Sequence, residues 1–505
     1  MQNNRLIAYN ILKSNIIANG FCTGCGACEA ACPVGALHVE DEHVKRLFDC
    51  SHNLDLCPIC NEVCPHSQAL LLRSLEAVSD APVRSEAVGY LRKVLLAQAN
   101  DPKIREDSAD GGVVTSLLKF GLDNKIFDSA VVTQSAELNK VKPKPAVALT
   151  SDDAASAAGS KFFPSAVVKT YGSAVLEYAK QKIAVVGLPC QILALRKIDA
   201  WRHKIGGKAT IAIGLFCFGA FSSKPFLNYI KKEYRISIAE IEKMRLSRDL
   251  TLYTKQGLFE MPLLDAKKHV TIGCKTCIDY TSEVADISVG SAYPMKEWSI
   301  VIVRTKTGED FFNDAVQKGI INTRNIEKEP EIFEHLIVSA LQKRTAGLIK
   351  ASKLEKKHTF VPVRLLREMD SLADVKVEDI MTKEVITIPC SMTVNEFLTM
   401  MATKGHIGYP VIDKNKELVG IVTMEEATKV DKAARWKTTV GTIARPNLDV
   451  CYPGETALDA IRKMSKQETG RVLILDPADP EKILGIVTKR DLMHALMKQA
   501  SESVL

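Results

Sequence analysis

The pattern of apolar and polar positions predicts strands and helices side by side in the middle of the chain. Two short apolar runs rich in β-branched residues, Ile183 to Val186 and Ile211 to Phe216, indicate buried strands. After a pair of glycines, Val113, Leu117 and Leu122 recur at helical spacing and indicate a helix with one apolar face. We therefore expect an α/β fold in this part of the chain.

The C-terminal part of the chain contains an internal repeat. Four segments of its first copy, Asp379–Thr382, Thr393–Phe397, Gly408–Ile412 and Gly420–Thr423, recur as Val440–Ile443, Thr456–Ala460, Gly470–Ile474 and Gly485–Thr488. Repeated supersecondary units bury their apolar faces against one another. The repeat predicts two β-α-β-β-α units within residues 373–500, preceded by a basic linker at residues 346–372.

No segment predicts a membrane span or a secretory signal. The longest uncharged run, Ala209 to Ser223, is bounded by Lys208 and Lys224 and is shorter than the roughly 20 residues that a membrane helix needs. The first residues carry neither an apolar stretch nor a small-residue cleavage site. We therefore expect a cytoplasmic protein without a membrane span.

Composition changes this picture only a little. The 505 residues, 46% hydrophobic and 25% charged, are enough for several separately packed cores. The net charge of +7 comes from scattered basic residues without interleaved aromatic side chains, so we expect no nucleic-acid partner.

The cysteines are the strongest chemical signal in the sequence. Of the fourteen, four form the C-x2-C-x2-C-x3-C-P run that is typical of bacterial ferredoxins: Cys22, Cys25, Cys28 and Cys32. A second set consists of Cys50, Cys57, Cys60 and Cys64, in which the gap after Cys50 is longer than usual. Structural zinc is the alternative, because C-x2-C pairs also bind zinc. Eight cysteines with two Cys-Pro ends favour two [4Fe–4S] clusters.

The fourth cysteine of each such run crosses to the other cluster in two-cluster ferredoxins. We therefore predict one ligand set of Cys22, Cys25, Cys28 and Cys64, called the cluster 1 site. The cluster 2 site then consists of Cys32, Cys50, Cys57 and Cys60.

Four further cysteines predict a third [4Fe–4S] cluster. Cys190 and Cys217 each follow one of the apolar runs, and the ends of buried strands are where open α/β sheets bind ligands. Cys274 and Cys277 add a C-x2-C loop. We call these four residues the cluster 3 site. Taken singly, Cys190 or Cys217 would be interpreted as an ordinary buried thiol. Cys390 and Cys451 have no such spacing and are interpreted as ordinary residues.

Residues 86 to about 345 resemble the family of coenzyme F420 hydrogenase and dehydrogenase beta subunits, whose members occur mainly in methanogens and related archaea. The likeness rests on four segments: Gly111–Leu118, Gly159–Phe162, Gly187–Gln191 and Cys274–Gly290. A ferredoxin domain fused in front is similar to the input subunit of F420H2 dehydrogenase. The resemblance implies an FAD beside a [4Fe–4S] cluster and hydride exchange with coenzyme F420. Phe162 stands where the family often has Tyr, so no polar role is assigned to it.

The FAD contacts that the resemblance implies lie in three of these segments: Gly111, Gly112, Thr115, Ser160, Lys161, Pro189 and Gln191. A standard G-x-G-x-x-G fingerprint is missing. The Gly111-Gly112 pair opens a predicted helix, whose first N–H groups can bind a pyrophosphate, although such a turn can also bind nothing. Lys161 could meet a phosphate or could be an ordinary surface lysine. No catalytic residue is assigned.

The repeat at the C-terminus resembles a pair of CBS domains, which implies adenine-nucleotide binding in the clefts between the repeats. Thr488 and Asp491 match the family's ribose contact in the second repeat. Glu426 occupies the acidic position of the first repeat, and its longer side chain puts that cleft in doubt. The alternative is a dimerisation module with empty clefts, and we expect a homo-oligomer formed through this pair.

The sequence therefore predicts a multidomain protein of α/β and α+β class. It consists of a 2[4Fe–4S] ferredoxin-like domain (1–85), a flavin-binding α/β domain (86–345), the linker and the CBS pair. We expect an F420-dependent oxidoreductase that relays electrons to ferredoxin or to a larger redox complex. The alternatives are a flavin-dependent reductase of another substrate and an electron-relay adapter gated by the CBS pair.

Overall fold

The computed structural model describes residues 8–40, 42–50, 57–85, 87–137, 139–246, 248–355, 361, 372, 375–404, 408–446, 450–466, 470–488, 491, 492 and 495. The chain divides into two compact units: Met1–Arg364, called the N-terminal unit, and Leu365–Leu505, called the C-terminal unit. None of the described helices is long and apolar enough to cross a membrane.

The first part of the N-terminal unit consists of short elements around the first eight cysteines. Its helices and strands are α1 (Ala8–Leu12), a π-helical turn (Lys13–Ile17), α2 (Ala27–Ala30), β1 (Leu37–Glu40), β2 (His43–Arg46), α3 (Ile59–Glu62) and α4 (Leu71–Leu75). Strands β1 and β2 pair as an antiparallel hairpin. Gly24 and Gly26, between the first cysteines, have φ of +62° and +84°, a conformation that only glycine adopts without strain.

The remaining strands of this unit are β3 (Val83–Ser85), β4 (Gly89–Leu91), β5 (Lys93–Ala99), β6 (Ser129–Ser135), β7 (Pro143–Ala148), β8 (Ile183–Gly187), β9 (Ala209–Leu215), β10 (Ile241–Leu246), β11 (Leu250–Thr254), β12 (Gly257–Met261), β13 (Ile287–Ser291), β14 (Ser299–Val303) and β15 (Ile321–Asn325).

Its helices are α5 (Pro102–Asp107), α6 (Val113–Asp123), α7 (Ser151–Ala155), α8 (Val167–Leu176), α9 (Pro189–Ala200), α10 (Ser223–Glu233), α11 (Leu263–Lys267), α12 (Ile272–Lys275), α13 (Lys306–Gln317) and α14 (Pro330–Glu355), with 3-10 turns at Ile238–Glu240 and Ile326–Lys328.

A mixed eight-stranded sheet is the framework of the N-terminal unit, with the strand order β15-β5-β14-β13-β9-β8-β6-β7. Its centre, β13-β9-β8-β6, is parallel. Strand β5 runs in the same direction as these four, because it is antiparallel to β14, which is antiparallel to β13. The carboxyl ends of these five strands therefore lie along one edge of the sheet, which is where open α/β sheets bind ligands.

Helices cover both faces of this sheet. On one face, Val113 and Leu117 of α6 pack with Phe311 and Phe312 of α13. On the other face, Leu336 of α14 packs against side chains of β5 and β14. The predicted strands Ile183–Val186 and Ile211–Phe216 are confirmed as β8 and β9, and the predicted apolar helix is confirmed as α6. The α/β prediction for this part of the chain is therefore confirmed.

A second, antiparallel sheet consists of β10, β11 and β12. Its core is aromatic: the rings of Phe221 and Phe226 stack with centroids 4.0 Å apart, and Phe162 lies 6.1 Å from Phe221. Phe162 is thus a packing residue of this core, in agreement with its having no polar role.

Helix α14 extends through the boundary predicted at residue 345 and ends at Glu355. The first part of the predicted linker, residues 346–355, is therefore helical and belongs to the N-terminal unit. Most of the rest of the predicted linker lies outside the described residues.

The C-terminal unit contains the two predicted repeats. Its elements are α15 (Val377–Ile380), β16 (Ile388–Pro389), α16 (Val394–Lys404), β17 (Gly408–Ile412), β18 (Leu418–Thr423), α17 (Met424–Lys429), α18 (Val440–Ile443), α19 (Ala457–Lys466), β19 (Arg471–Asp476) and β20 (Asp479–Thr488). Strands β16, β17 and β18 form one sheet, and β19 pairs with β20. In the second copy, Cys451 bridges to Ile474 in parallel, where the first copy has β16 beside β17.

Candidate iron–sulfur and cofactor sites

The cluster 1 site lies in the loop between the π-helical turn and α2. Cys22, Cys25 and Cys28 interact electrostatically with one another and with Cys64, which comes from the far end of α3. Burial raises the pKa of Cys22 to about 11, and the nearby thiols of Cys64 and Cys190 contribute further. Burial also raises the pKa of Cys25 and Cys28 well above the usual value. Four thiols from two segments, three of them buried, thus share one pocket.

The cluster 2 site contains the remaining four cysteines of the two runs. Burial is the main cause that raises the pKa of Cys60 to about 12, and the nearby thiols of Cys57, Cys32 and Cys50 also raise it. The fourth cysteine of each run therefore lies with the first three of the other run. This is the crossed arrangement expected of a two-cluster ferredoxin.

The cluster 3 site lies at the carboxyl edge of the central sheet. Cys190 is at the start of α9, just after β8, and Cys217 lies just after β9. Together with Cys274 and Cys277 they line one pocket. Burial raises the pKa of Cys217 to about 12, and the thiols of Cys274, Cys190 and Cys277 contribute to the rise.

Lys343 of α14 also lines this pocket. The sequence alone did not indicate that this lysine belongs to the site. Its Nζ donates a hydrogen bond to the carbonyl oxygen of Cys217. Burial alone would lower the pKa of Lys343, but the thiols of Cys277, Cys217 and Cys274 raise it above the usual value. A cation among four thiols suits a site that carries negative charge when the thiols are ionised.

The three sites are neighbours. Cys22 and Cys25 of the cluster 1 site interact with Cys190 of the cluster 3 site, and Cys28 interacts with Cys60 of the cluster 2 site. Thr23 lines the pockets of both site 1 and site 3. The cluster 1 site therefore adjoins both of the other sites.

The donor set suits iron–sulfur clusters. None of the fourteen cysteines, all of which are within the described residues, forms a disulfide. Backbone N–H groups point at a sulfur in each site: Gly24 at Cys22 (3.5 Å), Ala36 at Cys32 (3.2 Å) and Ala220 at Cys274 (3.3 Å). Hydrogen bonds to the sulfurs are one of the means by which proteins tune such clusters.

Within the described part of the chain, no three His, Cys, Asp or Glu side chains are close enough to hold a single metal ion. A cubane distributes its four thiolates over four iron atoms, so it needs a more open arrangement than one zinc ion does.

The residues predicted to contact FAD lie at the same edge of the sheet. Gly111 and Gly112 precede α6, and the N–H of Gly111 donates to Oγ of Ser299 (3.1 Å). Gly112 caps α6 in a left-handed conformation without a side-chain hydrogen bond to the first turn, on which Thr115 is buried. The nearby Oγ of Ser116 is buried and has no hydrogen-bond partner among the described residues. This uncapped helix start fits a polar ligand group.

Lys161, another predicted FAD residue, is already engaged within the protein. The Nζ of Lys161 donates to three carbonyl oxygens, those of Ala157, Ala158 and Gly159, at 2.7 to 3.0 Å. Burial lowers the pKa of Lys161 to about 8, with Lys243 as a second cause. A charged ligand phosphate would therefore have to draw this ammonium away from its loop. Ser160, its neighbour, is exposed.

Gln191 holds the start of α9 in place. Its Oε1 accepts from the N–H of Leu188 (2.7 Å), and its Nε2 donates to the carbonyl of Ser165 (2.7 Å). Pro189 lines the cluster 3 pocket. The direct contribution of these two residues is thus to position Cys190 between them.

Asp110 is a half-buried acid at this edge that sequence reasoning missed. Its carboxylate accepts a hydrogen bond from Oγ of Ser291 (3.0 Å). Burial raises the pKa of Asp110, while the hydrogen bond from Ser291 and the charge of Arg245 oppose the rise. The only feature of the sequence that could have indicated Asp110 as a site residue is its position directly before Gly111.

The two repeats of the C-terminal unit carry matching carboxylates. Asp491 Oδ2 accepts from the N–H (2.8 Å) and the hydroxyl (2.7 Å) of Thr488. Glu426 Oε2 accepts from the same two groups of Thr423, and its Oε1 also pairs with Arg445. In the first repeat, then, the acidic side chain is bound to an arginine of the same unit.

Models of known protein families match separate parts of this chain. The models for the N terminus and the C terminus of the coenzyme F420 hydrogenase/dehydrogenase beta subunit match residues 94–171 and 180–329. A 4Fe–4S binding domain model matches residues 16–38, and CBS domain models match residues 377–432 and 440–498.

Among curated relatives, the chain is similar to the beta subunit of coenzyme F420 hydrogenase from Methanothermobacter thermautotrophicus, with 32% identity over 48% of this chain and 87% of the relative. It is also similar to an F420H2 dehydrogenase subunit of Methanosarcina mazei, with 31% identity over 59% of this chain and 84% of the relative.

A chain of the F420-reducing [NiFe] hydrogenase complex from Methanosarcina barkeri matches with a TM-score of 0.52 and 28% identity. The match covers 54% of this chain and 96% of that one.

Proposed function

This chain belongs to the family of coenzyme F420 hydrogenase/dehydrogenase beta subunits, and we propose that it transfers hydride between coenzyme F420 and a bound FAD. We further propose that the chain relays single electrons through three [4Fe–4S] clusters to ferredoxin or to a partner complex. The observation that carries the proposal is the set of three neighbouring thiol foursomes, of which the cluster 3 site adjoins the predicted FAD contacts Pro189 and Gln191.

The chain's own cysteines would hold the clusters: the foursomes of sites 1, 2 and 3 supply four thiolates each. FAD, when bound, supplies the conversion between a hydride pair and single electrons. The protein contributes a water-poor setting, because Cys25, Cys28, Cys64 and Cys277 are buried. It also contributes the N–H groups and the Lys343 ammonium, which stabilise negative charge on the sulfurs.

For FAD we propose the start of α6 as the main contact, with Gly111, Gly112 and Thr115. The uncapped N–H groups of α6 and the hydroxyl of Ser116 can donate hydrogen bonds to a phosphate or to the flavin. Ser160 and Lys161 would contribute from the loop after α7, and Pro189 and Gln191 would shape the wall toward Cys190. We also propose domain divisions at residues 85 and 372, with the end of the flavin-binding domain moved from residue 345 to Glu355, where α14 ends.

Addition of F420H2 to the anaerobically purified full-length chain tests this function. We expect bound FAD, about twelve irons per chain, and bleaching of the flavin absorbance together with the appearance of oxidised F420. Bound flavin that F420H2 does not reduce would point to a reductase of another substrate. A chain that binds iron but no flavin would point to the electron-relay adapter.

For the CBS pair we propose adenine-nucleotide binding through Thr488 and Asp491. The geometry that supports it is the carboxylate of Asp491, held by two hydrogen bonds from Thr488. Titration calorimetry of the full chain with AMP, ADP and ATP should detect binding. We expect Asp491→Ala to weaken it by about 1.5 to 3 kcal/mol, while the exposed Asp479→Ala leaves it unchanged. A dimer without adenylate binding would indicate a dimerisation module instead.

A further inference from the structure

Lys197 is a charged side chain in the interior of the N-terminal unit. It lies on α9 and its exposed fraction is 0%. Its Nζ donates to the carbonyl oxygen of Cys64 (2.7 Å), the carbonyl oxygen of Ser67 (2.8 Å) and the hydroxyl of Ser67 (3.1 Å). The ammonium is thus fixed against the backbone of a cluster 1 cysteine.

Burying a charge is unfavourable unless an opposite charge or polar groups compensate for it. Carbonyl and hydroxyl oxygens of Cys64 and Ser67 solvate the ammonium of Lys197. A cubane with four thiolate ligands is negatively charged, and reduction adds one more negative charge. A cluster at the cluster 1 site would therefore attract the ammonium of Lys197, which is held against the backbone of Cys64.

Helix α9 connects this lysine to the cluster 3 site. Cys190 lies in the first turn of α9, and Lys197 follows seven residues later, about 10 Å along the axis. Residues seven apart lie on the same face of a helix. One face of α9 thus carries a thiol of the cluster 3 site and, two turns on, the cation bound to Cys64 of the cluster 1 site.

We propose that Lys197 is a positioning residue that holds the Cys64 backbone and stabilises the reduced form of the cluster at the cluster 1 site. This deepens the proposed function and rests on it. The step concerned is a one-electron transfer, in which the cluster 3 site loses an electron and the cluster 1 site gains it. No bond is formed or broken and no proton moves. Without the charge of Lys197, electrons would enter the cluster 1 site less readily.

The test is a potentiometric titration of the full-length chain, followed by electron paramagnetic resonance. Lys197→Met keeps the apolar length but removes the charge. We expect its equilibrium constant for reduction of cluster 1 to fall about tenfold or more, which corresponds to about 59 mV for one electron. Cluster 2 serves as the internal reference and should not shift. Lys182→Met removes an exposed lysine of the same unit and should leave all potentials unchanged.

Lys197→Arg keeps the charge and should retain the cluster 1 potential of the unmodified chain. An unchanged cluster 1 potential in Lys197→Met, with full iron content, would overturn the inference. If Lys197→Met lost the cluster 1 irons, Lys197→Gln would be titrated in its place. Loss of these irons in both neutral variants and their retention in Lys197→Arg would support the need for charge, whereas loss in all three would show a steric role. Absence of iron at this site in the unmodified chain would instead refute the proposed function.

Discussion

Gly273 and Phe21 pack so closely that a Cβ on Gly273 would lie 2.2 Å from the carbonyl oxygen of Phe21. Gly273 directly precedes Cys274 of the cluster 3 site, and Phe21 directly precedes Cys22 of the cluster 1 site. The contact therefore sets the spacing between two proposed clusters. It exists only because position 273 has no side chain.

We predict that Gly273→Ala pushes the two cysteine loops apart and lowers the stability of the N-terminal unit by about 1 to 3 kcal/mol. The magnetic interaction between clusters 1 and 3 should weaken in the reduced protein, which electron paramagnetic resonance can measure. Leu264→Ala, on the exposed surface of α11, is the control and should change neither property. An unaltered interaction in Gly273→Ala would show that this contact does not set the spacing.

Removal of a single thiol should delete the third cluster. We predict that Cys274→Ser loses about four irons per chain, because the loss of one of four thiolates weakens the binding of the whole cubane. The resonance signals of the other two clusters should persist. The control is Cys390→Ser, which removes a thiol of the C-terminal unit and should leave the iron content unchanged. Full iron content in Cys274→Ser would remove this residue from the ligand set.

The crossing of the fourth cysteines can be tested with pairs of substitutions. Cys64→Ser combined with Cys22→Ser should lose about four irons, because both residues serve one cluster. Cys64→Ser combined with Cys60→Ser should lose about eight, because these residues serve different clusters. The reverse result would show that each run of four binds its own cluster.

Glu426 should make the stability of the C-terminal unit depend on pH. Burial alone would raise the pKa of Glu426, but hydrogen bonds from Thr423 and the pairing with Arg445 lower it below the usual value. The ionised form is therefore favoured by folding. Its contribution is present above the unfolded pKa of about 4.3 and is lost as the pH falls through the lower folded pKa.

We expect Glu426→Gln to destabilise this unit by about 1 to 3 kcal/mol at neutral pH, with a difference that shrinks toward acid pH. Scanning calorimetry of the full chain across this range measures it. The exposed Glu417→Gln is the matched control and should follow the unmodified chain throughout. A difference between Glu426→Gln and the unmodified chain that stays constant with pH would contradict the assignment.

Patterns within short segments of the sequence correctly predicted two central strands and the C-terminal repeat. The apolar runs around residues 183 and 211 are β8 and β9, and the repeat after residue 373 is the paired C-terminal fold. Lys161 shows what such local patterns cannot predict, namely the contacts of a side chain. The sequence places it in a Gly-Ser-Lys turn, but only the folded loop shows that its ammonium already binds three carbonyl oxygens.

The sequence by itself determined which thiols are candidates for binding a cluster, because the spacing of cysteines within a few residues decides which thiols one loop can offer to a metal cluster. The tertiary structure alone decided how the three sites are arranged. Cys64 and Lys197 are 133 residues apart, and nothing in a helix of ordinary composition marks Lys197 as buried. That placement follows from the packing of α9 beneath the first cysteine loops, and such long-range contacts leave no periodic trace along the chain.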